Sequence, residues 1–339
     1  MISEDLSRKI DFLSLLGAVM VVAAHIGWTA ESEFGRLAIV LEKHLLALLV
    51  IPFFSATSGF FLAAHFGEED WWRRETRKRI RTVLVPYVIW ISVYALMMLA
   101  MTGRWVGGVC GYGFNPCKMP MLAPMWYLRT LMLLVLASPL ILRALRRWGW
   151  RFLAAAYLAL LAVATCQGCG LIDYEDGRLG GFLWRGFSVE AFLYFALGMQ
   201  LRRSGFEFRR GPAAVVSLLV GLMIVSGYLL AAHLRVRVPV CPCALFAPFL
   251  LFGTICLMPG WRLPGWLTGC AMPIYVVHGI VLAVLRNGGA PDGRISPWIE
   301  LAAAVGIPVL GFNLLCRFAP GLAGWLFGGR MQRRGRGRR

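Results

Sequence analysis

Charged residues are scarce in this chain, and acidic residues are the scarcest. Its 339 residues include 17 Asp and Glu against 35 Lys and Arg, and only 15% are charged whereas 59% are hydrophobic. A soluble domain averages about 25% charged and roughly 45–50% apolar residues. This composition excludes an ordinary soluble domain and leaves a formal net charge of +18 to be explained.

Motifs that would identify several enzyme classes are also absent. The sequence has no H-E-x-x-H metal motif and no G-x-S-x-G nucleophile turn. Its glycine-rich stretch GGVCGYG follows no predicted strand and opens no helix, so it is not a phosphate loop. No internal repeat or heptad pattern is visible. No stretch between the apolar runs is long enough for a separate soluble domain.

Ten apolar runs approach the ~20 residues that a helix needs to cross the hydrocarbon core of a membrane. They are residues 10–28, 45–64, 83–101, 125–142, 152–167, 187–201, 212–233, 244–258, 266–285 and 298–319. The sequence therefore predicts an all-α integral membrane protein of about ten transmembrane helices. Residues 1–320 are expected to form the membrane domain and residues 321–339 a basic cytoplasmic tail. The first run is too long for a cleaved signal and lacks a clear cleavage site.

The distribution of Lys and Arg orients these spans. With the N-terminus in the cytoplasm, the predicted inner segments hold 23 of these residues and the outer segments hold 10. This is the positive-inside pattern, and an even number of spans places both termini in the cytoplasm. Because the cations cluster between apolar runs, we expect membrane lipids and not nucleic acid as their partners.

Cysteine placement agrees with that orientation. Six of the nine cysteines lie in or beside predicted outer loops, and none lies in a predicted inner loop. The six are Cys110, Cys117, Cys166, Cys169, Cys241 and Cys243. Disulfides persist outside the cytosol, so bridges between these loops are the favoured interpretation. Their connectivity stays open, and the C-x-x-C spacing that ends at Cys169 also suits zinc.

Four ionisable residues inside the spans fall at a similar predicted depth, in the outer part of the membrane. They are His25, Arg129, Glu190 and His278. A charge at mid-membrane costs about 2.5–3.5 kcal/mol on insertion scales, so each of these residues needs a partner or a function. His25 is the predicted general base, because imidazole titrates near neutrality and can take a proton from an alcohol. A buried salt bridge with structural histidines is the alternative interpretation.

A polar stripe and a basic cluster extend this predicted site towards the cytoplasm. At 100° per residue, Asp11, Ser14 and His25 share one face of the first helix. Six basic residues lie between Arg73 and Arg81, just before the third span. Arginine suits phosphate groups, so this cluster is a candidate site for a phosphate-bearing cosubstrate. A topology signal is the other interpretation, and the two are compatible.

Five segments in order along the chain resemble the membrane acyltransferase-3 family. They are KIDFLSLLGAVMVVAAHIGW, PFFSATSGFFL, RKRIRTVLVPYVIW, PMWYLRTLMLL and MPIYVVHGIVL. The first is similar to the family pattern I-D-x-L-R-x(10)-H, and the last is similar to its I-Y-x-x-H. One position departs from the pattern, because Ser14 stands where the family commonly has arginine. Arg129 is a candidate to supply that cation from another helix.

The resemblance implies O-acylation of a hydroxyl on an envelope carbohydrate or lipid-linked acceptor. The donor would be a cytoplasmic acyl-CoA, usually acetyl-CoA, and the protein would lie in a bacterial inner membrane. His25 would be the catalytic histidine, and the basic segment before the third span would bind the CoA phosphates. No metal is expected.

The predicted mechanism assigns each candidate residue a part. His25 would act as general base or, as an alternative, as an acyl carrier. Arg129 or Tyr127 would stabilise the oxyanion, and Glu190 would orient a histidine or bind the acceptor. The predicted site residues are His25, Glu190, Arg129 and His278 for catalysis, Arg74, Arg77, Lys78, Arg81, Asp11 and Ser14 for the donor, and Tyr127 and Trp126 for the acceptor.

Two functions from other classes remain open on the sequence. A transporter or flippase of a polar envelope precursor also fits basic loops and intramembrane polar residues, although no inverted repeat is visible. A structural partner in an envelope-synthesis complex is the third interpretation, and it predicts that substitution of His25 is tolerated.

Overall fold

The computed structural model describes residues 3–26, 28, 47–66, 68, 70–102, 125–168, 189–233, 242–287 and 295–328, and these residues form twelve α-helices. The helices are α1 Glu4–Ala24, α2 Ala47–Leu62, α3 Trp71–Arg79, α4 Val85–Thr102, α5 Trp126–Trp148, α6 Trp150–Gly168, α7 Val189–Arg203, α8 Pro212–His233, α9 Pro242–Leu257, α10 Ala271–Asn287, α11 Pro297–Phe318 and α12 Pro320–Phe327.

Each of the ten predicted apolar runs overlaps one of these helices, which confirms an all-helical fold for the described chain. Within the described residues, three helical stretches are long and apolar enough to cross a membrane: Trp71–Met101, in which the turn Ile80–Leu84 joins α3 to α4, Trp126–Trp148 and Pro297–Phe318. Shorter apolar helices include Leu49–Leu62 and Ala271–Arg286. The count of ten spans and the cytoplasmic location of both termini stay predictions.

Helix α1 begins and ends with side chains that satisfy its free backbone groups. At its start, the hydroxyl of Ser3 accepts a hydrogen bond from the Leu6 N–H at 3.2 Å. At its end, His25 is the C-cap residue and the indole of Trp28 donates to the Ala23 carbonyl at 3.0 Å. Because helix termini leave unpaired groups, these contacts define where α1 stops and hold His25 at its tip.

Pro52 and Gly59 interrupt the apolar segment IPFFSATSGFFL, which predicts irregular, cavity-lining structure there. The irregular part of this prediction is wrong. The segment lies in the regular helix α2, which contains Pro52. The hydroxyl of Thr57 donates to the Phe53 carbonyl at 2.8 Å within this helix. Gly59 lets α2 approach α7 closely, since a Cβ atom there would lie 2.0 Å from the Phe195 carbonyl oxygen. Close backbone packing between these two helices therefore replaces the expected irregularity.

Irregular backbone occurs instead between α3 and α4, where Ile80–Leu84 form one turn of π-helix. Proline has no N–H, so Pro86 cannot donate to the carbonyl of Thr82 as an α-helix requires. The chain widens, and the N–H of Val85 donates to the Ile80 carbonyl. Single π turns inside helices are frequent at functional sites. Here the turn overlaps the end of the basic cluster, since Arg81 lies within it.

The last described helix, α12, packs back onto the helical core. The indole of Trp90 donates to the Leu326 carbonyl at 2.9 Å, and Phe312 packs edge-on against Phe327 at 5.4 Å between ring centroids. Gly328 has a φ of 79° and lies so close to the π turn that a Cβ atom would meet the Thr82 carbonyl oxygen at 2.3 Å. The predicted tail began at residue 321, and most of α12 thus lies within it. Residues 329–339 lie outside the described residues.

Candidate functional site

The structure brings His25 and His278 together. Their ring centroids are 5.3 Å apart, although the two residues lie on α1 and α10. His25 Nδ1 lies 2.7 Å from the Val21 carbonyl oxygen, and His278 Nδ1 lies 3.0 Å from the Ile274 carbonyl oxygen. A carbonyl only accepts hydrogen bonds, so both Nδ1 atoms carry a proton and both Nε2 atoms are left with a lone pair.

The two imidazoles differ in exposure. His25 is half-buried, so the tip of α1 is partly accessible. His278 is fully buried, and its Nε2 has no hydrogen-bond partner among the described residues. An imidazole with a free lone pair and a route to a ligand can act as a general base. His25, which is partly accessible, is the better candidate for that part, and His278 places a second imidazole beside it.

An ion pair that the sequence did not reveal holds the backbone of His25. Arg286 at the end of α10 forms a two-pronged contact with Glu300 of α11, at 2.8 and 2.9 Å. The same guanidinium donates to the His25 carbonyl at 2.8 Å. The Glu300 side chain is 7% exposed and that of Arg286 is 45% exposed. This arrangement, called here the Arg286–Glu300 clamp, ties three helix ends together at the catalytic candidate.

The structure says less about Arg129 and Glu190, the other two of the four ionisable residues predicted inside the spans. Arg129 is buried on α5, near enough to Tyr87 of α4 for an electrostatic interaction. Glu190 lies in the first turn of α7, and its side chain lies outside the described residues. The pairing of the two histidines is thus observed, whereas a cluster of all four residues stays a prediction.

The basic cluster divides into a buried face and an exposed face. Trp71, Glu75 and Arg79 are buried, and they recur at intervals of four residues along α3. Arg74 and Lys78, by contrast, are exposed. Residues four apart lie on one face of a helix, so the sequence carried a signal for this division. The predicted site list nevertheless left out Arg79.

The exposed face of this cluster lines a cavity of about 750 Å³. The four cations predicted to bind the donor all contribute, namely Arg74, Arg77, Lys78 and Arg81. Glu68 pairs with Arg74, and Glu75 lies 3.5 Å from the Lys78 amine, so part of this charge is balanced. The remaining lining residues are Thr82, Gly321, Gly324, Trp325 and Gly328. This space is called here the cationic cavity.

A second cavity of about 500 Å³ adjoins the same cluster and is called here the polar cavity. Asp11 and Ser14 of α1 line it, as predicted for one polar face, together with Lys78 and Arg79. Since Lys78 lines both spaces, the polar and cationic cavities are neighbours. Arg79 is 7% exposed, and its Nε has no hydrogen-bond partner among the described residues. The cations that share a cavity with Ser14 are therefore Lys78 and Arg79, of which Arg79 is the buried one.

A third, small cavity of about 50 Å³ adjoins these two. It shares Met272 with the polar cavity and Thr82 with the cationic cavity. Tyr127 and Tyr275 line it as well, and the ring of Tyr275 lies 6.4 Å from that of His278. Tyr127 was predicted to bind the acceptor, but it lies between the basic cluster and the histidines.

The Tyr127 hydroxyl has a polar neighbour in α2. The Ser55 hydroxyl donates to it at 3.4 Å, and both side chains are buried. Trp126, the other predicted acceptor residue, packs edge-on against the Tyr127 ring at 6.1 Å. The beginning of α5 thus presents one phenol to the small cavity and one half-buried indole beside it.

The predicted cysteine chemistry lies mostly outside the described residues. Within them, Cys166 near the end of α6 has a free thiol, and Cys256 and Cys270 are buried. No group of three His, Cys, Asp or Glu side chains in the described ranges is arranged to hold a metal ion. Bridges among the other outer-loop cysteines stay a prediction.

Comparison with known proteins adds to this geometry. Over 204 residues the chain is 25% identical to the succinoglycan biosynthesis protein ExoH of Rhizobium meliloti (strain 1021), and the alignment covers 52% of each chain. The chain thus spans about half the length of that curated relative. No solved structure matches the chain. The acyltransferase domain of the acyltransferase-3 family matches residues 8–317, which include both histidines and the whole basic cluster. The chain therefore belongs to the acyltransferase-3 family, and the domain that it carries is an acyltransferase domain.

Proposed function

We propose that this protein transfers an acyl group, typically acetyl, from cytoplasmic acyl-CoA to a hydroxyl of an envelope polysaccharide or its lipid-linked precursor. It would act as a multi-pass protein of a bacterial inner membrane, with ten spans and both termini in the cytoplasm. The named relative is a succinoglycan biosynthesis protein, which favours an exported polysaccharide as the acceptor.

One observation carries the proposal. Three neighbouring cavities share lining residues, and they extend from the exposed cations of α3 to the ring beside His278. A CoA thioester has a matching distribution of charge, with an anionic nucleotide at one end and an uncharged pantetheine arm at the other. The nucleotide would stay in the cationic cavity, where arginine forks suit phosphates. The arm would reach inwards through the polar and small cavities.

The reaction needs few groups once the two substrates meet. His25 Nε2 would take the proton of the acceptor hydroxyl, whose oxygen then attacks the thioester carbonyl carbon. A carbon–oxygen bond forms and the carbon–sulfur bond breaks. The departing thiolate takes the proton back from His25, so free CoA and the acylated acceptor are the products. The phenol of Tyr127 is the favoured donor to the oxyanion, because it lines the cavity on the donor side.

Arg79 is the favoured replacement for the arginine that the family commonly has at position 14. It lines the polar cavity together with Ser14, and burial strengthens its hydrogen bonds to an uncharged ligand. A pantetheine amide is such a ligand. Arg129 was the candidate from the sequence, and it is the less suitable of the two because it lines none of the three cavities.

The test uses the purified protein in phospholipid nanodiscs, with acetyl-CoA binding and transfer measured separately. The variant His25→Ala should keep its affinity for acetyl-CoA and lose transfer by about 10²–10⁴-fold, which is the usual contribution of a general base. The variant Arg77→Gln/Arg81→Gln should lose affinity and keep transfer at saturating donor.

A matched control replaces cations that line none of the three cavities, as in Arg209→Gln/Arg210→Gln, and should leave both quantities unchanged. Normal transfer by the His25 variant would contradict the catalytic assignment. Movement of a polysaccharide precursor across the membrane without any acyl-CoA would favour a transporter instead.

A further inference from the structure

Helix α12 and the residue after it line the cationic cavity with three glycines and one tryptophan. Gly321, Gly324, Trp325 and Gly328 occupy positions i, i+3, i+4 and i+7, so they lie on one side of the helix and its terminal turn. Three of these positions have no side chain, and the fourth has a flat indole that is 61% exposed. At Gly321 no atom lies within 4 Å of the place a Cβ atom would occupy. The face thus offers open space beside one aromatic plane.

The other face of α12 is firmly packed, so the position of the indole is set by the fold. Ala323 and Phe327 are buried, and the carbonyl of Leu326 accepts the hydrogen bond from Trp90. The contact between Gly328 and the Thr82 carbonyl brings the end of α12 against the π turn. The Trp325 ring therefore lies in one cavity with the cations of α3 because both flanking elements are fixed.

We propose that α12 is a wall of the donor site and that the Trp325 indole stacks on the adenine of CoA. This rests on the proposed function and deepens it, because it assigns the base of the nucleotide as well as its phosphates. An aromatic plane beside a set of cations is the general means of holding a base next to its phosphates. The glycines leave room for the base to lie flat against the ring.

The test compares two thioesters on the full-length protein in phosphatidylcholine nanodiscs, so that no anionic lipid competes for the cations. One is acetyl-CoA, and the other is S-acetyl-4′-phosphopantetheine, which has the arm and a phosphate but no adenosine. Trp325→Ala should weaken acetyl-CoA binding about 5- to 100-fold, the range expected for loss of one base–aromatic stack. It should leave the affinity for the adenosine-free thioester unchanged. Trp325→Phe should retain most of the affinity for acetyl-CoA.

The matched control is Trp266→Ala, since Trp266 is 57% exposed and lines none of the three cavities. It should bind both thioesters as the wild type does. Equal weakening of both thioesters by Trp325→Ala, or no weakening of acetyl-CoA, would overturn the adenine assignment while leaving the acyltransferase proposal intact. If the wild-type protein bound no acetyl-CoA at all, both proposals would be wrong.

Discussion

The Arg286–Glu300 clamp gives a prediction that separates the positioning of His25 from the folding of the protein. Replacing Arg286 by Gln removes the two contacts to Glu300 and the one to the His25 carbonyl. Hydrogen bonds to charged groups contribute about 1.5–3 kcal/mol each when buried, and exposed ion pairs contribute only about 0.2–1 kcal/mol. Since Arg286 is 45% exposed, we expect a total loss of stability of about 2 kcal/mol.

In free energy, the expected loss of activity is larger than this loss of stability. Without the hydrogen bond from Arg286 to the His25 carbonyl, the end of α1 is free to shift. A displacement of about 1 Å in a reacting group lowers the rate about 10²-fold. That corresponds to about 2.7 kcal/mol of activation free energy. The KM for acyl-CoA should stay unchanged, because the clamp lines none of the three donor cavities. The assay is steady-state acyl transfer in nanodiscs, with thermal unfolding measured on the same samples.

The charge-exchanged variant Arg286→Glu/Glu300→Arg is the decisive control. It allows an ion pair between α10 and α11 but moves the guanidinium to another helix, away from its bond to the His25 carbonyl. We expect it to recover stability and to remain slow. A kcat close to that of the wild type in this variant, or in Arg286→Gln, would refute the positioning role of the clamp.

Three further predictions concern packing, donor binding and pH. Gly198→Ala should destabilise the protein by about 1–3 kcal/mol or more in thermal unfolding, because the added Cβ atom would lie 1.9 Å from a backbone oxygen of α2. Gly227 lies on an open face, so Gly227→Ala should be neutral or stabilising in the same measurement. Arg79→Gln should raise the KM for acetyl-CoA at least tenfold in the transfer assay with little change in thermal stability, and an unaltered KM would exclude Arg79 from donor binding. The hydrogen bond that Lys9 donates at 2.8 Å holds the pKa of the Asp5 carboxyl below its usual range. The stabilising effect of this ion pair is therefore complete above about pH 5 and is lost as the pH falls from about 4 through the lowered pKa. In thermal unfolding, Asp5→Asn should therefore be less stable than the wild type at pH 7 and equally stable in acid.

Much of the fold followed from local patterns in the sequence. The ten apolar runs matched helices because a long run of apolar residues favours helix wherever it lies in the chain. The cations Arg74, Arg77, Lys78 and Arg81 were found for a similar reason, since α3 and the π turn that continues it bring them to one cavity. The exact ends of helices were less predictable, as at α1, which stops at Ala24 because side chains cap it there.

The contents of the site were only partly predictable. His25 and His278 were both expected in the outer part of the membrane, and the separation of 5.3 Å between their ring centroids could not be read from the sequence. Arg79 looked like one more member of a basic run, although its spacing from Glu75 was visible. Nothing in the sequence around Trp325 distinguished a cavity wall from the beginning of a cytoplasmic tail.

The division between local and tertiary information has a physical cause. Apolar runs, capping residues and helix faces depend on residues near one another in the chain, so composition and spacing were enough to identify them. The contact between Arg286 and His25 joins residues 261 positions apart, and the approach of Gly328 to Thr82 likewise joins distant segments. The hydrophobic effect favours burial of an apolar helix face but does not determine which helix packs against it, because the effect has no direction. Close packing and hydrogen-bond geometry select the neighbours, and these exist only once the helices have assembled.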